Sequence, residues 1–125
     1  MIYAIEVNTE FYAAHQLRLS DGSFEPLHGH LWRVEVRVVS EKLDAIQTIM
    51  DFHRLESLLK TIIAPWPNKR LNDFAPFDKE WSPSAERVAE HIAKLLIFQI
   101  PAPAQLSHVR VGEAPGCYAI FSLDR

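Results

Sequence analysis

Residues 31–39 alternate without a break, with Trp32, Val34, Val36 and Val38 on one side and Arg33, Glu35 and Arg37 on the other. A period of two sends successive side chains to opposite faces of a β-strand. A strand that is apolar on one face and charged on the other lays the first on a core and leaves the second to water. That is the habit of an antiparallel sheet, because parallel sheets are buried on both faces. The rest of the chain has to supply the partner strands and a layer that covers the apolar face.

Ile2–Val7 is rich in strand formers and reads as the first strand, followed by an irregular stretch with a turn at Ser20-Asp-Gly-Ser23. After a loop over 40–48, Asp51 can cap a helix whose apolar stripe is Leu55, Leu58, Leu59, Ile62 and Ile63, and Pro65-Trp-Pro67 stops it. A second helix begins at Ser82-Pro-Ser84, with Pro83 suited to its first turn, and carries Ala85, Val88, Ala89, Ile92, Leu95 and Leu96 on one face. Two strands, 106–113 and 117–123, close the chain around a turn at Ala114-Pro-Gly116. Strand pair, helix pair, strand pair predicts an α+β domain: a four-stranded antiparallel sheet with both helices on one face. A sheet this small has exposed edges and an incompletely covered face, which oligomerisation would close.

The 125 residues make one domain, 1–125, with no internal repeat or low-complexity segment. A net charge of −3, with no basic run, argues against a nucleic-acid partner and leaves a small molecule or a protein. The amino terminus reads as a strand rather than a signal peptide, no apolar run is long enough for a membrane span, and Cys117 alone cannot form an intrachain disulfide. The expected location is the cytoplasm.

His28 and His30, two residues apart at the start of the Trp32 strand, point to the same face and can converge on one ion. His15, after the apolar segment Phe11-Tyr-Ala-Ala14, is a third candidate. Three imidazoles with a free fourth position form the ligand set of a catalytic zinc site. A His-x-His pair also fits ordinary surface histidines, and His53, His91 and His108 read as solvated or structural. Glu113 ends a strand on the face of Val109 and Val111. It suits either a structural ion pair or a ligand edge with two parallel N–H donors.

Together, Phe11-Tyr-Ala-Ala-His15, Leu27-His-Gly-His30, Met50-Asp-Phe52, Leu71-Asn-Asp73, Pro83-Ser-Ala-Glu86 and Val111-Gly-Glu-Ala-Pro115 resemble the 6-pyruvoyltetrahydropterin synthase and 6-carboxytetrahydropterin synthase family. They occur in the family's order over nearly the whole chain. The resemblance implies a tunnelling fold, in which subunits join their sheets into a barrel. It also implies a homohexamer with sites between subunits. It makes His15, His28 and His30 the ligands of Zn2+, Glu113 the pterin anchor, and Ser84 the counterpart of a threonine close to the pterin. Asp51 and Asn72-Asp73 are better explained by capping and loop structure.

The chain departs from the family at two places. The usual cysteine, four residues before His-Gly-His, is replaced by Phe24, which cannot transfer a proton, and Cys117 matches no family nucleophile. An Asp-His pair that normally precedes Leu-Asn-Asp is also missing, its places held by Pro67 and Asn68. Glu25, three residues before His28, resembles the subgroup in which a glutamate replaces the cysteine; it is equally readable as an ordinary loop carboxylate. That subgroup's activity is cleavage of the dihydroneopterin triphosphate side chain to 6-hydroxymethyldihydropterin, in folate synthesis. Two other readings stand beside it: 6-carboxytetrahydropterin formation for queuosine, and a pterin-binding homologue without catalysis. Lys69, Arg70 and Arg18 are candidates to meet a triphosphate, although solvated surface charge explains each of them.

Overall fold

A computed structural model describes residues 1–124. Four strands, β1 (Tyr3–His15), β2 (His28–Ser40), β3 (Gln105–Ala114) and β4 (Cys117–Ser122), form one antiparallel sheet in the order β1-β2-β3-β4. Helices α1 (Phe52–Ile63) and α2 (Ala85–Leu96) come between β2 and β3 and pack on one face of it. This is the α+β architecture that the sequence pattern predicts, and it matches the single subunit of the tunnelling fold that the family resemblance implies.

The alternation in β2 does what its period dictates. Trp32, Val34, Val36 and Val38 are completely buried and meet Leu55, Leu59 and Ile63 of α1 and Val88, Ala89, Ile92 and Leu96 of α2. Burying each large aliphatic side chain contributes about 1.5–3 kcal/mol. The other face is charged and ordered. Glu6 faces Arg37 at 3.8 Å, Glu10 faces Arg33 at 3.1 Å and Glu35 faces Arg110 at 3.1 Å, and each pair sits directly opposite in the strand register.

Asp51 caps α1, its Oδ1 accepting from the His53 amide at 2.9 Å, and the helix stops before Pro65 as expected. At α2 the expectation needs correction. Ser84, not Ser82, is the cap: its Oγ accepts from the Arg87 amide at 3.1 Å, and Pro83 lies outside the helix. Leu95 is 44% exposed, and Ala93 takes the core-facing place assigned to it.

The largest difference is at β1, which runs past Val7 to His15. Its core face is Val7, Phe11, Ala13 and His15, with the half-buried Thr9 between them. The polar run Asn8-Thr-Glu10 hides this alternation in the sequence. Trp32 fastens the extended end, its indole N–H donating to the Ala13 carbonyl at 3.1 Å. The outer edge of that end is covered by the segment after α1: Asn68 donates to the Tyr12 carbonyl at 2.6 Å and Ala14 to the Lys69 carbonyl at 2.9 Å. No helix among the described residues is long and apolar enough to cross a membrane.

Candidate metal centre

His15 and His28 are register partners at the ends of β1 and β2, and His30 is on the same face two residues further along. The three rings gather edge to face, with centroids 4.5, 4.7 and 5.2 Å apart, and Trp32 packs against His15 at 4.8 Å. One ligand atom from each lies within 4.8 Å of the others, a group that could hold a metal ion.

Hydrogen bonding fixes two of the tautomers. His15 Nδ1–H donates to the Pro83 carbonyl at 2.8 Å, and His28 Nδ1–H donates to the Pro26 carbonyl at 2.9 Å. A carbonyl only accepts, so the proton is on Nδ1 and the Nε2 lone pair is presented to the cluster. Carbonyl partners of this kind orient metal-ligating histidines. The Nε2 atoms of His15 and His30 are buried and have no hydrogen-bond partner. Leaving a buried polar atom unpaired costs about 1–3 kcal/mol, and a cation at the centre of the cluster removes that cost. Burial lowers the pKa of His15, with the Pro83 carbonyl and the Glu113 carboxylate pulling partly the other way. A neutral imidazole is the form that binds a metal, so the three residues fit a metal ion.

Two carboxylates flank the cluster. Glu113 Oε2 is 3.5 Å from His15 Nε2, and Glu25 Oε1 is 3.8 Å from His28 Nε2. Neither belongs to the group whose ligand atoms lie mutually within 4.8 Å. Glu113 borders a cavity of about 480 Å³ that is also lined by Ala85, Cys117 and Tyr118. Its strand is irregular between Gly112 and Ala114, where the pairing with β4 shifts register. A Cβ at Gly112 would come within 2.8 Å of the Tyr118 ring, so a larger residue there would force that ring to shift. The hydroxyl of Ser84 is engaged in capping α2.

The remaining candidates separate clearly. Phe24 is 51% exposed, under the Arg18 guanidinium. Cys117 is exposed at the β3–β4 turn. Arg70 is committed to Asp73 and Gln16, and Arg18 to the Lys79 carbonyl, whereas Lys69 is exposed beside Asn68 and His30 in a cleft of about 670 Å³. His53 is exposed and His91 packs on Trp66 and Phe77. Sequence reasoning missed the Pro83 and Pro26 carbonyls and the Leu17 amide, which donates to Glu25 Oε1 at 2.9 Å. Backbone groups leave no trace in residue identity.

Comparison with known proteins identifies the family and the fold. The family model described as 6-pyruvoyl tetrahydropterin synthase matches residues 4–124. No curated protein sequence matches the chain. Among solved structures, the 6-pyruvoyl tetrahydropterin synthase of Caenorhabditis elegans superposes with a TM-score of 0.84 at 20% identity, over 99% of this chain and 97% of that one. An uncharacterized protein from Wolinella succinogenes gives 0.80 at 19% identity, over 99% of both chains. A Plasmodium vivax 6-pyruvoyltetrahydropterin synthase gives 0.76 at 18% identity, over 100% of this chain and 99% of that one; it is a mutant in which a glutamate described as a catalytic residue is replaced by alanine. With a match from the first strand to the last, the chain belongs to the 6-pyruvoyl tetrahydropterin synthase family of pterin-processing enzymes.

Proposed function

We propose that the protein is a zinc-dependent lyase acting on the side chain of 7,8-dihydroneopterin triphosphate or a related dihydropterin, with 6-hydroxymethyldihydropterin as product. In this reading residues 1–125 are one pterin-synthase-like domain of a cytoplasmic homohexamer, and the open sheet edges pair between subunits.

The observation that carries the reading is the position of Glu25. Its carboxylate is 3.8 Å from His28 Nε2 and braced by the Leu17 amide, while Phe24, at the usual cysteine's place, is at the surface. A glutamate described as a catalytic residue in the Plasmodium relative supports the same assignment. His15, His28 and His30 would hold the zinc, which polarises a side-chain oxygen and lowers the cost of removing its proton.

Glu113 would accept two parallel N–H donors from the pterin edge, and Ser84, which precedes the cavity-lining Ala85 in the chain, would lie close to the ring. Glu25 would take the proton from the C2′ hydroxyl. The C1′–C2′ bond then breaks, its electron pair passes to C1′ in conjugation with the ring, and C2′ leaves as an aldehyde still carrying the triphosphate. Returning the proton to C1′ gives the hydroxymethyl group, so no oxidant or reductant is needed.

Incubation of the zinc-loaded protein with dihydroneopterin triphosphate, with chromatography of the products, tests the reading. A hydroxymethyl pterin is expected. A carboxy pterin would assign the queuosine-type reaction instead, and no product would leave a pterin-binding protein without catalysis.

A further inference from the structure

We propose that Gln16 is a positioning residue that holds Glu25 at the metal centre, and that Arg70 and Asp73 brace it. The inference rests on the reading of Glu25 as the acid/base.

Gln16 directly follows the last residue of β1, the metal-site His15. Its backbone is clamped on both sides by one buried side chain: the Gln16 amide donates to Asn72 Oδ1 at 3.0 Å, and Asn72 Nδ2 donates to the Gln16 carbonyl at 2.9 Å. With the backbone fixed, the side chain reaches in two directions. Gln16 Nε2 donates to the Glu25 carbonyl at 3.0 Å, and Gln16 Oε1 accepts from Arg70 Nη1 at 2.8 Å. A guanidinium only donates and a carbonyl only accepts, so the amide has one orientation that satisfies both partners. Arg70 is held in turn by Asp73, whose Oδ1 accepts from Nε at 3.0 Å and from Nη2 at 2.7 Å.

The consequence falls on Glu25. Its amide donates to the Leu17 carbonyl at 3.0 Å, its carbonyl accepts from Gln16, and its Oε1 accepts from the Leu17 amide at 2.9 Å. Residues 16 and 17 therefore bind every polar group of Glu25 except Oε2. The dipeptide that follows a metal-site histidine also aims the carboxylate, so His15 and Glu25 share one rigid mount. The segment that lacks the family's Asp-His pair supplies the brace through Arg70. The Leu71-Asn-Asp73 motif, read from sequence as loop structure, thereby acts on the site through Gln16.

A residue that only glues the loop would affect stability, whereas a positioning residue alters turnover at constant substrate affinity. The test uses full-length zinc-loaded Gln16→Ala and Arg70→Ala, with Glu25→Gln as reference. Amide hydrogen exchange and steady-state kinetics on dihydroneopterin triphosphate are measured for each. Gln16→Ala should speed exchange at the Leu17 and Glu25 amides about three- to tenfold. It should also lower kcat about tenfold with KM within about twofold, at wild-type zinc content. Arg70→Ala, which keeps Gln16 but removes its brace, should move both readouts the same way by less, and it carries the test if Gln16→Ala does not fold. Wild-type exchange at both amides overturns the proposal, as does wild-type kcat in Gln16→Ala when Glu25→Gln is inactive. If Glu25→Gln turns over like wild type, or wild type itself is inactive, the acid/base reading fails and exchange alone decides whether Gln16 holds Glu25.

Discussion

Glu113 Oε2 and His15 Nε2 are 3.5 Å apart, so the anchor proposed for the substrate ring and a proposed metal ligand touch the same small volume. In the proposed reading, a ring held by Glu113 would carry its side chain toward the histidine cluster. Glu25 Oε1 lies at the other flank of the cluster, 3.8 Å from His28 Nε2. The two carboxylates thus flank the cluster from different histidines, and the proposed reading gives binding to one and proton transfer to the other.

Purified protein should contain about one zinc per subunit, and His28→Ala with His30→Ala should abolish stoichiometric binding. Removing two of three imidazoles leaves His15 alone, still tied to Pro83 by its Nδ1. Metal analysis of the double variant is the check, and full occupancy there would remove the cluster as the metal site.

How much of this was legible depends on the kind of interaction. The alternation of Trp32 to Val38 gave the sheet face directly, and the helix stripes followed from their spacing except at Leu95, where Ala93 faces the core instead. The pairing of His15 with His28 was not derivable from spacing, because a long connection between β1 and β2 leaves register free. Family motifs supplied that link. The Pro83 and Pro26 carbonyls that set the histidine tautomers became visible only in three dimensions.

Glu113→Gln should weaken pterin binding far more than metal binding. An amide keeps the shape, but its NH₂ meets a ring donor and the charge-assisted pair is lost. Such a loss costs roughly 1.5–3 kcal/mol, or about ten- to a hundredfold in affinity. Calorimetric titration with a dihydropterin measures it, and equal affinities would take Glu113 out of the site.

Stability should fall with pH just below the usual histidine range, through His91. Its ring packs 5.5 Å from Phe77 and 6.0 Å from Trp66, and burial there lowers its pKa below 6.5. Above that value the residue is neutral in both folded and unfolded chains. Below it the unfolded chain takes up a proton that the folded chain refuses, so stability declines until the pH passes the folded value. His15 adds a change of the same sign, since its pKa is also lowered, chiefly by burial. In metal-free protein, the urea midpoint should drop less between about pH 7.5 and about pH 5.5 for His91→Leu than for wild type. Equal drops would show that His91 takes no part in the acid sensitivity.

Glu25→Gln should leave zinc content, oligomeric state and pterin affinity nearly intact while turnover falls about a hundredfold or more. The Leu17 amide that now donates to Oε1 can donate equally to an amide oxygen, so the loop has no reason to move. The amide still forms hydrogen bonds but cannot carry a proton near neutral pH. Phe24, half exposed, and Asn68, whose side chain does not titrate, offer no substitute for the lost proton carrier. Rates measured on dihydroneopterin triphosphate, with zinc content and pterin affinity determined on the same preparations, separate the possibilities. A Glu25→Gln protein as active as wild type would return Glu25 to an ordinary loop carboxylate. A protein that loses zinc along with activity would make Glu25 part of the metal's support rather than the group that moves the proton.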